Sequence, residues 1–302
     1  MSSSSACRVA VFGFAKTVEK LSSQVAEAKA MGFSQYWSPQ IFDLDVLTAF
    51  AVVASEVSGI RLGTAVLPVY TRHPMTLAQQ ALTLNQIAGA RLDLGIGLSH
   101  KPVVEGMWGM SFDRPVKYMS DYLKVLRPLL AKGKVSHSGE LVTGRGAIDV
   151  RADAPPVFVA ALGEQMLTLA GKLADGTVTW MTGPATIRDL TAPVIRAAAE
   201  AAARPEPQII SAVPVCCTEN VDAARARAAE EYAIYGQLPS YRAMLDREGM
   251  AGPEDLAVIG GADEIASRLQ GFLDAGATTV VVNAFGSPDE QAAAREAAAT
   301  LL

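Results

Sequence analysis

Cysteine is scarce in this sequence, and its placement excludes two kinds of structure. The 302 residues include three cysteines, Cys7, Cys216 and Cys217. Two of them are adjacent and none has the spacing of a metal-ligand pair, so we expect neither a disulfide framework nor a metal site. Few cysteines also fit a reducing, cytoplasmic location.

Long uninterrupted apolar runs are missing as well. Charges or turn residues break every such stretch, which argues against a membrane span. Residues 1–6 are rich in serine and have neither a basic start nor an apolar centre, so we expect no signal peptide. The formal net charge of −5 disfavours nucleic acid and anionic membranes as general partners.

Signatures of acid–base and nucleophilic catalysis are absent too. The sequence has no HExxH, no GxSxG and no order of Ser, His and Asp that suits a catalytic triad. No catalytic residue is assigned on this basis. Few proton-transfer groups are typical of a protein whose cofactor supplies the difficult chemistry.

What the sequence does contain is a regular alternation of apolar runs and amphipathic stretches. Half of the residues are apolar, and the apolar runs are continuous rather than alternating, which indicates strands covered on both faces. Eight β/α units in this length predict an α/β fold, a single-domain (β/α)8 TIM barrel over residues 1–302. A doubly wound sheet is the alternative, but no GxGxxG follows the first strand. The predicted strands are 8–14, 33–37, 60–68, 91–96, 156–161, 176–180, 208–216 and 278–283.

Two segments interrupt the alternation, at about 108–152 and 236–261. Both follow strands, so both are predicted at the C-terminal face of the barrel, where insertions build substrate pockets or merely cap the rim. Functional groups of such barrels come from the loops that follow the strands. The predicted substrate pocket, which indicates a partly apolar ligand, draws on Phe14, Gln40, Phe42 and Trp108.

Two glycine-containing turns at strand ends could bind phosphate. They are 95–99 (GIGLS) and 161–164 (ALGE), and the second places free backbone N–H groups at the start of a helix. Ordinary turn chemistry is the alternative for both.

Five further side chains have two interpretations each. His73 could reach a cofactor or cap the next helix, and Arg72 could reach a cofactor but is most simply a rim ion pair. His100 and Lys101 could bind an anionic tail or form a solvated turn. Trp180 could wall a ring-binding pocket or belong to the core.

The stretch IRLGTAVLPVYTRHPMTLAQQALTLNQIAGARLDLGIGLSH resembles the luciferase-like monooxygenase superfamily. The resemblance continues in AEAKAMGFSQYW, MSFDRPVKYMSDYLKVLRPLL and PPVFVAALGEQMLTLAGKLADGTVTW, and so covers most of residues 8–185. One branch of this superfamily uses FMN, oxygen and a separate reductase. The other, with mycobacterial members, uses the deazaflavin coenzyme F420.

Three motifs of this sequence, YTRHP, LGIG and AALGEQML, resemble the F420 branch more closely. Leu98 stands where luciferase has an arginine for the FMN phosphate, and Pro39-Gln40 stands where it has two histidines. The missing histidines also argue against sugar-phosphate or alcohol oxidation by the F420 branch.

The resemblance implies a non-prolyl cis peptide bond at Ala65-Val66, behind the central ring of the cofactor. It also implies that the phosphate and tail bind to Gly97, Leu98 and Ser99 together with residues 162–166, and that the protein is a homodimer. The complete set of predicted cofactor contacts is Gly13, Ala65, Val66, His73, Gly97, Leu98, Ser99, His100, Ala161, Leu162, Gly163, Glu164, Gln165, Met166 and Trp180.

The leading hypothesis is therefore an F420-dependent oxidoreductase that transfers a hydride to or from a small, partly apolar substrate. The first alternative is an FMN-dependent monooxygenase that works with a separate flavin reductase. The second alternative is a non-catalytic F420-binding or carrier protein, which the scarcity of catalytic side chains favours.

Overall fold

The computed structural model describes residues 8–302, so the serine-rich start and Cys7 lie outside the described residues. Its strands are β1 Val9–Phe12, β2 Gln35–Ser38, β3 Arg61–Thr64, β4 Leu67–Pro68, β5 Leu92–Gly97, β6 Lys134–Ser138, β7 Thr143–Ala147, β8 Val157–Ala160, β9 Gly176–Trp180, β10 Gln208–Cys217, β11 Val258–Gly260 and β12 Thr279–Ala284. The helices are α1 Val18–Ala30, α2 Val46–Glu56, α3 Pro74–Ile87, α4 Pro115–Lys132, α5 Glu164–Leu173, α6 Pro184–Thr186, α7 Ala192–Ala201, α8 Val221–Glu231, α9 Ala233–Gln237, α10 Pro239–Glu248, α11 Pro253–Leu256, α12 Ala262–Asp274 and α13 Pro288–Ala299, with π-helical turns at Pro102–Met107 and Ile187–Thr191.

Eight parallel strands form a closed barrel. Their order is β1-β2-β3-β5-β8-β9-β10-β12, and β12 returns to pair with β1, with Val9 opposite Val280. The helices that follow the strands surround this ring, so the predicted (β/α)8 barrel is confirmed. Of the helices within residues 8–302, none combines the length and the apolar character that crossing a bilayer would require.

The predicted helix starts coincide with capping side chains. Thr17 accepts a hydrogen bond from the backbone N–H of Lys20 before α1, and Ser287 and Glu290 form a capping box before α13. Pro74 occupies the first turn of α3, where its missing N–H costs nothing. Local chemistry therefore sets where these helices begin.

Three features differ from the predicted elements. The predicted third strand is split into β3 and β4 by the Ala65-Val66 peptide bond, which is cis, as the resemblance implied. The first insertion contains an antiparallel hairpin, β6–β7, that packs on α4 outside the barrel. The second contains, besides short helices, the strand β11, which pairs with the upper end of β10.

The apolar side chains form an inner and an outer core because neighbouring strand residues point to opposite faces. The inner core fills the barrel with Ala10, Phe12, Trp37, Phe158, Val178, Ile210, Ala212 and Val281. The outer core lies between the strands and the helices. The inner core leaves the C-terminal strand ends as the place where a ligand can enter.

Candidate active site

The first wall of the barrel mouth is the bulge between β3 and β4. Val66 is half-buried at its tip and packs against the inner core. A Cβ atom on Gly97 would lie 2.5 Å from Val66 Cγ2, and one on Gly95 would lie 1.9 Å from the carbonyl oxygen of Thr64. The two glycines of the LGIG turn are therefore required so that the bulge can approach β5 closely.

Hydrogen bonds fasten the start of the bulge to the strands on either side of β3. The Thr64 hydroxyl donates to the carbonyl oxygen of Gly95 at 2.7 Å and accepts from its N–H at 2.8 Å. The N–H of Ala65 donates to the carbonyl oxygen of Ser38 at 2.9 Å. The bulge is thus fastened to both neighbouring strands and presents Val66 in a fixed position.

A series of aromatic rings forms the second wall and the roof. Phe12 stacks on Trp180, with ring centroids 6.1 Å apart, and Phe14, 46% exposed, meets Phe12 edge to face. Trp180 contacts Tyr232 and Tyr235 of the segment that precedes the second insertion. The series continues through Tyr241 to His100 on the opposite side of the mouth. Trp180 lines the mouth and also packs against the apolar core, so its role beside a ring stays a prediction.

The roof is fastened to the barrel by a carboxylate. Glu248, at the end of α10, accepts hydrogen bonds from the N–H groups of Ala185 at 3.3 Å and Thr186 at 2.5 Å. These N–H groups lie in the first turn of α6 and have no partner within their own helix. The second insertion therefore folds back onto the barrel, at the C-terminal face where the sequence predicted it.

The start of α5 offers a position for an anion. Gly163 is its N-cap, no side chain caps the helix, and a Cβ atom added to Gly163 would have no neighbour within 4 Å. Uncapped N–H groups at a helix start attract negative charge. Residues 162–165 are accessible at the rim, whereas the side chains of Ala161 and Met166 are buried in the outer core, so only their backbones could face a ligand.

The side chains of Arg72 and His73 are used within the protein. Arg72 forms an ion pair with Asp45 and donates to Gln40 Oε1 at 3.2 Å, which is the rim ion pair that the sequence favoured. His73 Nδ1 accepts from the N–H of Met75 at 3.3 Å, and its Nε2 lies 3.0 Å from the carbonyl oxygen of Thr143. This is the capping interpretation of His73.

His100 and Lys101 have different surroundings. Burial lowers the pKa of His100, whose ring meets Tyr241 at 5.8 Å, so the neutral form is favoured at neutral pH. Lys101 is exposed and lies 3.7 Å from Glu105. Ser99, just before them, has a left-handed backbone with φ of 60°, which turns the chain sharply after β5.

The predicted substrate residues are distributed unevenly. Phe14 and Phe42 are exposed at the mouth, 46% and 60% respectively, and add apolar surface to it. Gln40 is half-buried, and its Oε1 also accepts from the N–H of Val46 at 3.2 Å, which anchors the loop after β2. Trp108 is half-buried against the outer core.

Gly13 is closely packed at the end of β1. Its N–H donates to the carbonyl oxygen of Trp37 at 3.0 Å, and a Cβ atom there would lie 1.9 Å from Tyr36 Oη. Glycine is therefore required beside this phenol, and the loop after β1 passes close to β2.

The sequence pattern does not predict four residues of the mouth. Tyr232, Tyr235 and Tyr241 come from helices whose approach to Trp180 depends on a distant chain reversal, so no local pattern marks them. Asn283 ends the last predicted strand two residues after the inward-facing Val281, and this alternation could have identified it.

Comparison with known proteins gives one family. A sequence profile described as luciferase-like monooxygenase matches residues 9–279. The 5,10-methylenetetrahydromethanopterin reductase of Methanolobus tindarius is 30% identical over 280 residues, which are 90% of this chain and 84% of the relative.

Two solved structures share the fold over nearly the whole chain. The coenzyme F420-dependent tetrahydromethanopterin reductase of Methanopyrus kandleri has a TM-score of 0.82 and 21% identity, and covers 97% of this chain and 98% of its own. The EDTA monooxygenase of Chelativorans sp. BNC1 has a TM-score of 0.80 and 16% identity, and covers 98% of this chain and 93% of its own. The same barrel therefore occurs in reductases and in monooxygenases.

Proposed function

The chain belongs to the luciferase-like monooxygenase family of oxidoreductases, and we propose that it is an F420-dependent enzyme that transfers a hydride to or from a small organic substrate. The observation that carries the choice of cofactor is the 30% identity with a reductase over 280 residues. The similarity in fold to an F420-dependent reductase supports it. Leu98, in place of the luciferase arginine, points in the same direction.

The residues at the mouth fit a flat ring with an anionic tail. Val66 offers a rigid apolar surface to one face of a ring, and Phe12 with Trp180 bounds the space across the barrel. The uncapped start of α5 matches a phosphate group. When bound, F420 would supply the hydride acceptor or donor.

The remaining tasks belong to the chain itself. The aromatic roof would exclude water from the reacting atoms. Because His100 is neutral, it would place no buried positive charge beside the roof. Among the inward-facing strand ends of residues 8–302 there is no charged side chain, so a proton would come from water or from the rim.

Titration of the purified protein with oxidised F420 and, separately, with FMN tests the proposal. We expect tight binding of F420, followed through its fluorescence, and weaker binding of FMN by at least tenfold. Tight binding of FMN without binding of F420 would replace the proposal by an FMN-dependent monooxygenase, which should then consume oxygen with a flavin reductase. Tight F420 binding with no turnover across a broad substrate panel would instead favour a carrier.

A further inference from the structure

Asn283 is a polar residue at the floor of an apolar mouth. It lies opposite Phe12 of β1 and Pro214 of β10, two residues after Val281 of the inner core, so its side chain is on the inward face of β12. The other inward-facing strand ends carry no amide, hydroxyl or charge within residues 8–302. They are Phe12, Trp37, Val66, Gly97, Ala160, Trp180 and Pro214. Their polar side-chain groups are the indole N–H of Trp37, which donates to Gln35 Oε1, and that of Trp180, which is buried without a hydrogen-bond partner among the described residues.

The amide of Asn283 is incompletely hydrogen bonded. The side chain is 6% exposed, and its Nδ2 lies 3.5 Å from Tyr232 Oη, at the limit of a hydrogen bond. No described residue donates a hydrogen bond to its Oδ1. Turning the amide by 180° only exchanges the two atoms, so one polar atom lacks a partner in either orientation.

Asn85 shows what a satisfied buried amide looks like in the same protein. It is 2% exposed, its Nδ2 donates to the carbonyl oxygen of Asp153 at 2.8 Å, and its Oδ1 accepts from the N–H of Leu92 at 2.9 Å. Buried amides are normally bonded in this way because an unpaired polar atom is costly. Asn283 differs because its Oδ1 has no partner among the described residues and yet is not sealed from solvent, so the amide is presented to the mouth, where a substrate group can complete its hydrogen bonds.

The position of Asn283 assigns this ligand to the substrate rather than to the cofactor. The bulge, the Gly97 turn and the start of α5 lie on or after the consecutive strands β3, β5 and β8. Asn283 lies on β12, which is separated from β3 by β1 and β2 around the ring. A ring resting on Val66 would leave the β12 side of the mouth for the substrate.

We propose that Asn283 is a specificity-determining residue that hydrogen bonds an uncharged carbonyl or carboxamide group of the substrate. This inference rests on the proposed F420-dependent function of the same site. An amide both donates and accepts, so it pairs well with a neutral carbonyl or carboxamide. A charged group would be buried here without a counter-ion, because the inward-facing strand ends carry no charge.

The first test compares the stabilities of Asn283→Leu and Asn85→Leu by urea unfolding of the ligand-free protein. We expect the midpoint to stay nearly unchanged for N283L, because the amide makes only one long hydrogen bond within the protein. The midpoint should fall clearly for the matched control N85L, because two buried backbone groups lose their partners. An equal fall in both variants would show that the amide of Asn283 serves the fold, and would overturn the proposal.

The second test measures binding to the F420-loaded protein. The probes are cyclohexanecarboxamide, cyclohexanone and, as the charged counterpart, cyclohexanecarboxylate, followed by perturbation of the F420 absorption band. We expect the two neutral probes to bind the unchanged protein more tightly than the carboxylate does. In N283L their affinity should fall about tenfold, the equivalent of one hydrogen bond, while the F420 affinity stays within about twofold.

Each contrary result has a separate meaning. Failure of both neutral probes to bind, equal binding to N283L, or tighter binding of the carboxylate would overturn the role of Asn283 although F420 binds. A loss of F420 affinity in N283L would assign the amide to the cofactor and also overturn it. Failure of the unchanged protein to bind F420 at all would instead remove the proposed function on which the inference rests.

Discussion

Gly97 and Gly163, two glycines at the mouth, differ in the space around the position that a Cβ atom would occupy, and this difference can be tested. The Cβ position of Gly97 lies 2.5 Å from Val66 Cγ2 and 3.2 Å from Ala160 Cβ, so Gly97→Ala must displace the bulge. We expect the variant to lose about 1–3 kcal/mol of unfolding free energy, as overpacked sites do. Its affinity for F420 should fall as well, because Val66 moves.

The control for this prediction is Gly271→Ala in α12. A Cβ atom at Gly271 meets nothing within 4 Å, and alanine should stabilise the helix by ~0.5–1 kcal/mol without affecting F420 binding. Both variants are compared by urea unfolding and by fluorescence titration. If G97A is as stable as the unchanged protein, the glycine is not required for the approach of the bulge to β5.

Gly163 is the second glycine at the mouth, and its side-chain position is open. Its φ of −89° and ψ of 156° are accessible to any residue. Gly163→Asp should therefore keep or slightly raise stability, because aspartate is a good N-cap. It should lower F420 affinity about fivefold or more, because its carboxylate takes the place of the anion at the helix start.

The neutral cap Gly163→Asn separates charge from shape in this experiment. It should retain more F420 affinity than G163D, with similar stability, when both variants are titrated at low ionic strength. Equal affinity of G163D and the unchanged protein would mean that the anionic part of the cofactor binds elsewhere.

At the scale of elements, Asp121 of α4 holds the β6–β7 hairpin in place. Its Oδ2 accepts from the N–H of Leu141 at 3.0 Å, and its Oδ1 accepts from Lys117 at 2.8 Å. Burial acts to raise the pKa of Asp121, but the hydrogen bonds from Lys117 and Leu141 and the charge of Lys117 outweigh burial and lower the pKa to about 2. The hairpin is therefore attached through a carboxylate that must be ionised.

Asp121→Asn tests this attachment through its pH dependence. Because the folded pKa lies below the ordinary value of 3.8, the stabilisation is present above that value and is lost as the pH falls towards 2. We expect D121N to lose about 1–3 kcal/mol at pH 7. Its unfolding free energy should also fall less between pH 5 and pH 2.5 than that of the unchanged protein. Parallel pH profiles would contradict a role for the charge.

The elements differ in how far the sequence could predict them. The barrel strands were predictable because continuous apolar runs such as VAVF and TVVVN are buried on both faces. The β6–β7 hairpin was not, because KVSHS and TGRGA are polar, largely exposed strands that depend on α4 for support. The bulge was predicted from resemblance alone, since nothing in the local pattern distinguishes Val66 from its apolar neighbours.

The residues of the candidate site also divide into those that the sequence could predict and those that it could not. Turn glycines such as Gly97 and Gly163 were predictable because they stand at or shortly after the ends of predicted strands. The aromatic roof was not, because Tyr235, just before the second insertion, and Tyr241, within it, reach Trp180 and His100 only through the path of the folded chain. Long-range packing of this kind depends on the arrangement of whole helices, which single-residue patterns do not encode.

At the scale of the whole molecule, the closed ring couples the site to the stability of the chain. β1 is held between β2 and β12, and β10 between β9 and β12, so a barrel strand cannot leave without opening the ring. A ligand that contacts the ends of several strands should therefore stabilise the entire barrel rather than one loop. At about 100 times its dissociation constant, F420 should raise the unfolding free energy by ~2.7 kcal/mol.

Hydrogen exchange separates this global effect from a local one. With F420 bound, the amides of the β1–β12 pair, such as those of Val11 and Val282, should exchange more slowly although they lie in the barrel wall beneath the mouth. FMN at the same concentration should slow their exchange less, because a ligand that binds tenfold more weakly adds only about 1.4 kcal/mol. Slower exchange confined to the bulge and the start of α5 would show that these parts open independently of the ring. The barrel would then hold its cofactor with local segments, and its eight strands would not respond to the ligand as one cooperative unit.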